Sequence, residues 1–202
     1  MTRLLPDPEL LRSSCRRTLS GWSAPTAEQH GLARLYLQHL ERHPDGWSRR
    51  CRGAHLTASS LICVPEQQKV LLTLHARIGR WLQTGGHLEP GDVSLAAAAL
   101  REAAEESGLV GLALDPVPLL LSRHQVLCSG EETYHLDVQF LVTASAAAPP
   151  VMTPESLQVR WFATSALPDV DLSVTELVRA AGTRLGWTSG TERPSEDPRA
   201  QP

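Results

Sequence analysis

Helix-forming stretches with apolar residues on one side fill the first fifty positions. Short, nearly unbroken apolar runs then take over, and each change of rhythm marks an element. Asp7-Pro8 is a helix cap followed by a first-turn proline and predicts a helix to about Leu19. Thr26-Ala27-Glu28-Gln29 reads as a capping box for a second helix, with Leu32, Leu35, Leu37 and Leu40 as its apolar side until His43-Pro44. From there Leu56 to Val64 and Lys69 to His75 are β-rich runs joined by Pro65-Glu66-Gln67-Gln68, a hairpin. Val117 to Val126 and His135 to Thr143 predict two more strands, and Val159 to Ala163 a short last one. Ser173-Val174-Thr175-Glu176 would cap a final helix to about Leu185. Ala144 to Pro150 is a low-complexity connector, and Thr188 to Pro202 lacks periodic apolar residues, so a disordered tail is expected there. Strands mixed with flanking helices predict an α/β/α sandwich. The expected division is a helical extension over 1–50, a central domain over 52–187 that carries the fold, and the tail over 188–202.

One segment carries more information than the rest. Gly85-Gly86-His87-Leu88-Glu89-Pro90-Gly91-Asp92 is a glycine turn that feeds a stretch from Leu95 to Ser107 free of Gly and Pro. Asp92 or Ser94 would cap the start of a helix there, and Gly108 would end it. On that helix Glu102, Glu105 and Glu106 stand at i, i+3 and i+4 and share a face, while Leu95, Ala99 and Ala103 form a small-residue face fit for close packing on a sheet. Acidic helix faces are ordinarily just solvated, and Arg101 with Glu105 is a common i, i+4 ion pair. Against that reading, Glu105 and Glu106 occupy the last turn, where the helix dipole disfavours anions, and no basic residue follows to offset them. Carboxylates gathered there make sense around a cation, and their hard oxygens suit Mg²⁺ or Mn²⁺.

Composition narrows the class. The chain has 202 residues, 42% hydrophobic and 20% charged, enough for one good core. A formal charge of -3 argues against a long nucleic acid as partner. Cys15, Cys51, Cys63 and Cys128 fit no CxxC pair and no compact disulfide framework, so buried free thiols are expected. There is no signal-peptide pattern and no apolar run of membrane-spanning length, which makes cytoplasmic residence without a membrane partner the expectation.

The segment from Gly86 to Leu109 resembles the Nudix box of the Nudix (MutT-like) hydrolase family: Gly, five residues, Glu, seven residues, then Arg-Glu-aliphatic-x-Glu-Glu-x-Gly-aliphatic. Gly86, Arg101, Glu102, Glu105, Glu106, Gly108 and Leu109 match, with Ala103 at the aliphatic place. Two departures stand out. Asp92 replaces the first Glu, and eight residues rather than seven separate it from Arg101. The resemblance implies a Nudix-type α/β/α sandwich with a mixed sheet. It also implies a pyrophosphohydrolase acting on acid anhydrides, with water attacking phosphorus in a nucleoside diphosphate derivative. Carried over by position, Glu105 and Glu106 would be the main ligands of Mg²⁺ or Mn²⁺, with the Gly86 carbonyl adding another. Glu102 would ligate metal or act as base, and Arg101 would orient Glu102. Gly85, Gly86 and His87 would contact the diphosphate.

Family members often place one more carboxylate before a Trp-bearing strand, and Glu155, six residues ahead of Trp161, is the candidate for outer ligand or base. Glu131 and Glu132 compete for that role from a turn. Asp137 lies in the apolar run Leu136 to Phe140, where an ionised group needs a partner. It would face the site or pair with an arginine. His75, His87, His124 and His135 raise the question of zinc, but their separations match no standard zinc spacing. Trp81, just ahead of the glycine turn, is a candidate for stacking on substrate, with burial in the core as its competing fate. The N-terminal helices have three open roles: docking on the core, a homodimer contact, or covering part of the site. Two other functions remain in play, a silent nucleotide-binding module that keeps the fold without turnover and an allylic diphosphate isomerase, which would need Cys63 or Cys128 at its centre.

Overall fold

A computed structural model describes residues 8–128, 130–151 and 156–187. Two helices come first, α1 (Pro8–Gly21) and α2 (Ala27–Arg42). They are followed by strands β1 (Ala54–Val64), β2 (Lys69–His75), β3 (Trp81–Leu82) and β4 (Thr84–His87). Helix α3 (Leu95–Ser107) leads into β5 (Ala113–Cys128), β6 (Glu131–Thr143), β7 (Ser156–Ala163) and α4 (Leu172–Leu185). The strands form one seven-stranded sheet in the order β3-β2-β1-β6-β5, with β4 also on β1 and β7 on β2. β1 and β6 run parallel over ten residue pairs, and the other named pairings are antiparallel, so the sheet is mixed.

Alternation along β1 sorts the core into two layers. Leu56 and Ala58 join Val138, Phe140, Leu95 and Ala99 beneath α1, α2 and α3. Leu61 and Cys63 point the other way, onto Val174, Leu177 and Ala181 of α4. Because both faces are covered, every residue of β1 after Ala54 is buried. The result is the expected α/β/α sandwich with added N-terminal helices.

Local chemistry sets the ends of the elements. Ser94 caps α3 by accepting from the Ala97 amide at 3.0 Å, and Gly108 closes it at φ 65°. β1 and β2 are joined through a single 3-10 turn, Pro65–Gln67, with Val64 opposite Lys69. β5 begins earlier than the apolar run implies. Pro116 and Pro118 interrupt its pairing between Asp115 and Leu120, and they hide the first four residues of the strand from a reading based on composition. α4 starts at Leu172 with Asp171 as the capping position, so Ser173 lies inside the first turn.

The N-terminal helices dock on the core. α1 buries Leu11, Cys15 and Leu19, and α2 buries Ala33, Tyr36 and Leu40, whereas Leu35 is exposed. Thr26 caps α2 through the Gln29 amide, but the Gln29 side chain does not close the expected capping box. It reaches edge strand β5, donating to the Leu121 carbonyl at 3.0 Å and accepting the Leu121 amide at 2.7 Å. Trp22 donates to the Pro118 carbonyl and the Tyr36 hydroxyl to the Ser122 carbonyl, each at 2.8 Å. Backbone groups that an edge strand would leave bare are thus partnered by the extension.

The four cysteines are free thiols, three buried and Cys128 half-buried. Burial pushes the Cys15 thiol up to about 12 and the Cys51 thiol up to about 11. Among the described residues no helix is long and apolar enough to cross a membrane. The expected tail at 188–202 lies outside the described residues.

Candidate functional site

β4 and α3 meet at the glycine turn. Gly85 and Gly86 pair with Ser59 and Ala58 of β1. A side chain at Gly85 would place its Cβ 2.3 Å from the Ser59 Cβ, and one at Gly86 would lie 2.6 Å from Glu102 Oε1. The turn therefore needs two residues without side chains, the first to press on β1 and the second to lie against a carboxylate.

Arg101 organises this corner. Its guanidinium donates to Asp92 Oδ1 and Oδ2 at 3.1 Å each, to the His87 carbonyl at 2.9 Å, to Glu102 Oε1 at 2.9 Å and to Glu105 Oε2 at 3.0 Å. Burial works against its charge, but the hydrogen bonds and charges of Asp92 and Glu102 outweigh that and hold its pKa above the usual arginine range. Asp92 is buried and also accepts the Glu89 amide at 2.7 Å, so it serves the loop and Arg101 and does not cap the helix. The Arg101–Glu105 pair expected from spacing is present, as one arm of a five-bond network.

Of the three glutamates, Glu102 lies against Gly86 and Glu106 Oε1 accepts the Gly85 amide at 3.3 Å. Glu105 has a side chain 61% exposed, held to Arg101 by an exposed ion pair worth about 0.2–1 kcal/mol. These glutamates put hard carboxylate oxygens, of the kind that suits Mg²⁺ or Mn²⁺, beside the bare glycine backbone.

Asp137 takes neither of its expected roles as a partner of arginine or an open site group. It is 3% exposed and accepts the hydroxyls of Thr57 at 2.9 Å and Ser59 at 2.6 Å. Glu131 pairs with Arg52, and Glu132 accepts from Gln125, both at the surface. Glu155 lies outside the described residues. Trp81 is half-buried, edge-on to Phe162 with ring centroids 4.8 Å apart, on the α4 side of the sheet.

The histidines depart most from the sequence reading. His55, which spacing did not bring forward, is in register with His135, His135 with His124, and Thr57 with His87. The rings of His87, His55 and His135 consequently gather into a triangle, with centroids 5.1 Å apart for His87–His55, 5.0 Å for His55–His135 and 5.0 Å for His87–His135, and His124 lies 5.5 Å beyond His135. Cys128 Sγ lies 3.7 Å from His87 Nε2. His55, His87, Cys128 and His135 offer donor atoms all within 4.8 Å of one another, a group able to hold a metal ion. Burial, with the neighbouring rings adding to it, lowers His87 to about 4 and His135 to about 3, and burial also lowers His55. His55 Nε2 and His135 Nε2 are buried with no hydrogen-bond partner, a situation that costs about 1–3 kcal/mol per group. His75 is elsewhere, accepting the Arg77 amide in its own turn.

No curated protein matched the chain. The fold is similar to that of a C. elegans Ap4A hydrolase, at 17% identity and TM-score 0.52 over 65% of this chain and 97% of that one. It is also similar to the NUDIX domain of Shewanella oneidensis NrtR complexed with ADP ribose, at 20% identity and TM-score 0.50 over 64% of this chain and 87% of that one. The NUDIX domain profile matches residues 53–180, a span that takes in the glycine turn, the Arg101 network, all seven strands and most of α4. The chain belongs to the NUDIX domain family.

Proposed function

We propose that the chain is a pyrophosphohydrolase that cleaves a diphosphate linkage in a nucleoside diphosphate derivative, using Mg²⁺ or Mn²⁺. The observation that carries this reading is the Arg101 network, which ties Asp92, Glu102, Glu105 and the His87 carbonyl into one unit beside the glycine turn. Asp92 fills the place of the family's first acid. The extra residue before Arg101 is offset by the shorter side chain, which still meets the guanidinium through both oxygens.

Glu102, Glu105, Glu106 and the Gly86 carbonyl would hold the cation. When bound, it supplies charge neutralisation for the diphosphate and acidifies the attacking water. Arg101 pairs with Glu102, whose carboxylate lies against Gly86. Glu102 and Glu155 are the two carboxylates assigned to taking the water's proton. The backbone of Gly85, Gly86 and His87 would line the diphosphate, and half-buried Trp81 would meet the rest of the substrate.

The test is a screen of nucleotides and nucleotide-sugar diphosphates with Mg²⁺ and Mn²⁺, with products read by mass after reaction in ¹⁸O-labelled water. The label should appear in a phosphate product, identifying the phosphorus attacked, and Glu106→Gln should lose at least about tenfold in kcat. A chain that binds these compounds yet turns none over would be the silent module, and a shifted double bond in isopentenyl diphosphate would mark the isomerase.

A further inference from the structure

We propose that His55, His87, Cys128 and His135 form a closed binding site for a zinc-class transition-metal ion, separate from the carboxylate site on α3. The donor set is three imidazole nitrogens and one sulfur, a soft-to-borderline set that suits Zn²⁺ and not the hard cations assigned to glutamate. In a tetrahedral zinc site, donors stand about 3.3–3.6 Å apart, given bonds of about 2.0–2.3 Å. Cys128 Sγ and His87 Nε2 are already at 3.7 Å, and the whole set lies within 4.8 Å. A contraction of about an ångström, within reach of small side-chain rotations, completes the site.

Two further features point to a ligand. His55 Nδ1 lies 3.2 Å from the Cys51 carbonyl, so it donates there and leaves Nε2 with its lone pair turned inward. That is the outer-shell bond that orients metal-ligating histidines. His55 Nε2 and His135 Nε2 are also the only buried side-chain nitrogens without a partner among the described residues. Arg49 lies near enough for its charge to oppose a cation, and a Cys128 thiolate would offset it. A surface cavity of about 400 Å³ lined by Arg49, His55 and Cys128 gives an ion its way in.

Four protein ligands leave no open position, which marks a structural centre. The ligands come from β1, β4, β5 and β6, and His87 is the neighbour of Gly86. An ion there would pin the glycine turn to the sheet from the side opposite Arg101, which holds the same residue by its carbonyl.

The experiment is metal analysis of the tag-free full chain, followed by Co²⁺ titration of the metal-stripped protein. The expected result is about one zinc per chain, intense visible bands of tetrahedral Co²⁺ and a near-ultraviolet thiolate charge-transfer band. Cys128→Ser should remove the charge-transfer band, and His135→Ala should cut the bound metal at least tenfold. Glu102→Gln with Glu106→Gln should leave both bands in place. Folding of each variant is checked by circular dichroism, and if the ligand variants do not fold, the titration of the native chain decides alone. A folded native chain that takes up neither ion stoichiometrically overturns the proposal. So does a charge-transfer band that survives Cys128→Ser, or a Co²⁺ spectrum that disappears with the glutamates, which would place the ion on α3.

Discussion

Replacing Arg101 with alanine removes five hydrogen bonds and leaves the Asp92 carboxylate, 6% exposed, without its counter-charge. Stripping one partner from a buried pair costs about 3–5 kcal/mol. Asp92 keeps the Glu89 amide, and the bond to exposed Glu105 contributes little, so the lower end, about 3 kcal/mol, is expected. For a chain of this size that lowers Tm by about 6–12 °C. Urea unfolding should show the loss as a shift in midpoint with unchanged slope. Arg101→Lys keeps the charge but cannot span Asp92 bidentately and reach Glu102 as well, so it should recover less than half of the loss. In a double-mutant cycle with Asp92→Ala, the coupling should be about 2 kcal/mol or more. A loss under about 1 kcal/mol, or effects that simply add, would mean that Arg101 is an ordinary surface cation and that the network organises nothing.

Gly86→Ala would set a methyl 2.6 Å from Glu102 Oε1 and should lower kcat at least about tenfold, with a thermal shift of only a few degrees, because a side-chain end can yield where backbone cannot. Gly85→Ala presses on the Cβ of Ser59 in β1 and should instead destabilise by about 1–3 kcal/mol, measured by urea unfolding. Glu155→Gln should reduce turnover by more than about tenfold on a confirmed substrate, and an unchanged rate would return Glu155 to the class of exposed loop acids. Gln29→Ala removes both bonds to Leu121 and should cost about 1–3 kcal/mol, with hydrogen exchange rising at β5 before any other strand.

How much could be read in advance depended on how local the determining chemistry was. The bounds of α3 follow from Ser94 and Gly108, both adjacent to the helix, and the β1–β2 hairpin from a four-residue turn, so both could be read directly. The glutamates, Arg101 and the glycine turn lie within a single continuous segment, which is why that corner was legible too. Gln29 and Asp171 escaped because each has a competing long-range partner, Leu121 for one and Arg80 for the other, that overrides its capping preference. Asp137 found hydroxyls where the site or an arginine was expected, since its neighbours come from β1, 78 and 80 residues away. The histidine cluster was invisible for the same reason. His55 and His135 become neighbours only through the parallel register of β1 and β6, which no spacing along the chain expresses.

The helical pair ahead of the profile-matched region has a practical consequence. A polypeptide trimmed to 53–180 would strip the lid from Phe140, Val138 and Leu56 and present a raw β margin at Leu121 and Ser122. Such a fragment would be sticky and prone to self-association through that margin. Any minimal version prepared for biochemistry should therefore begin no later than Pro8, with the two leading helices counted as part of the hydrophobic interior rather than as a detachable leader.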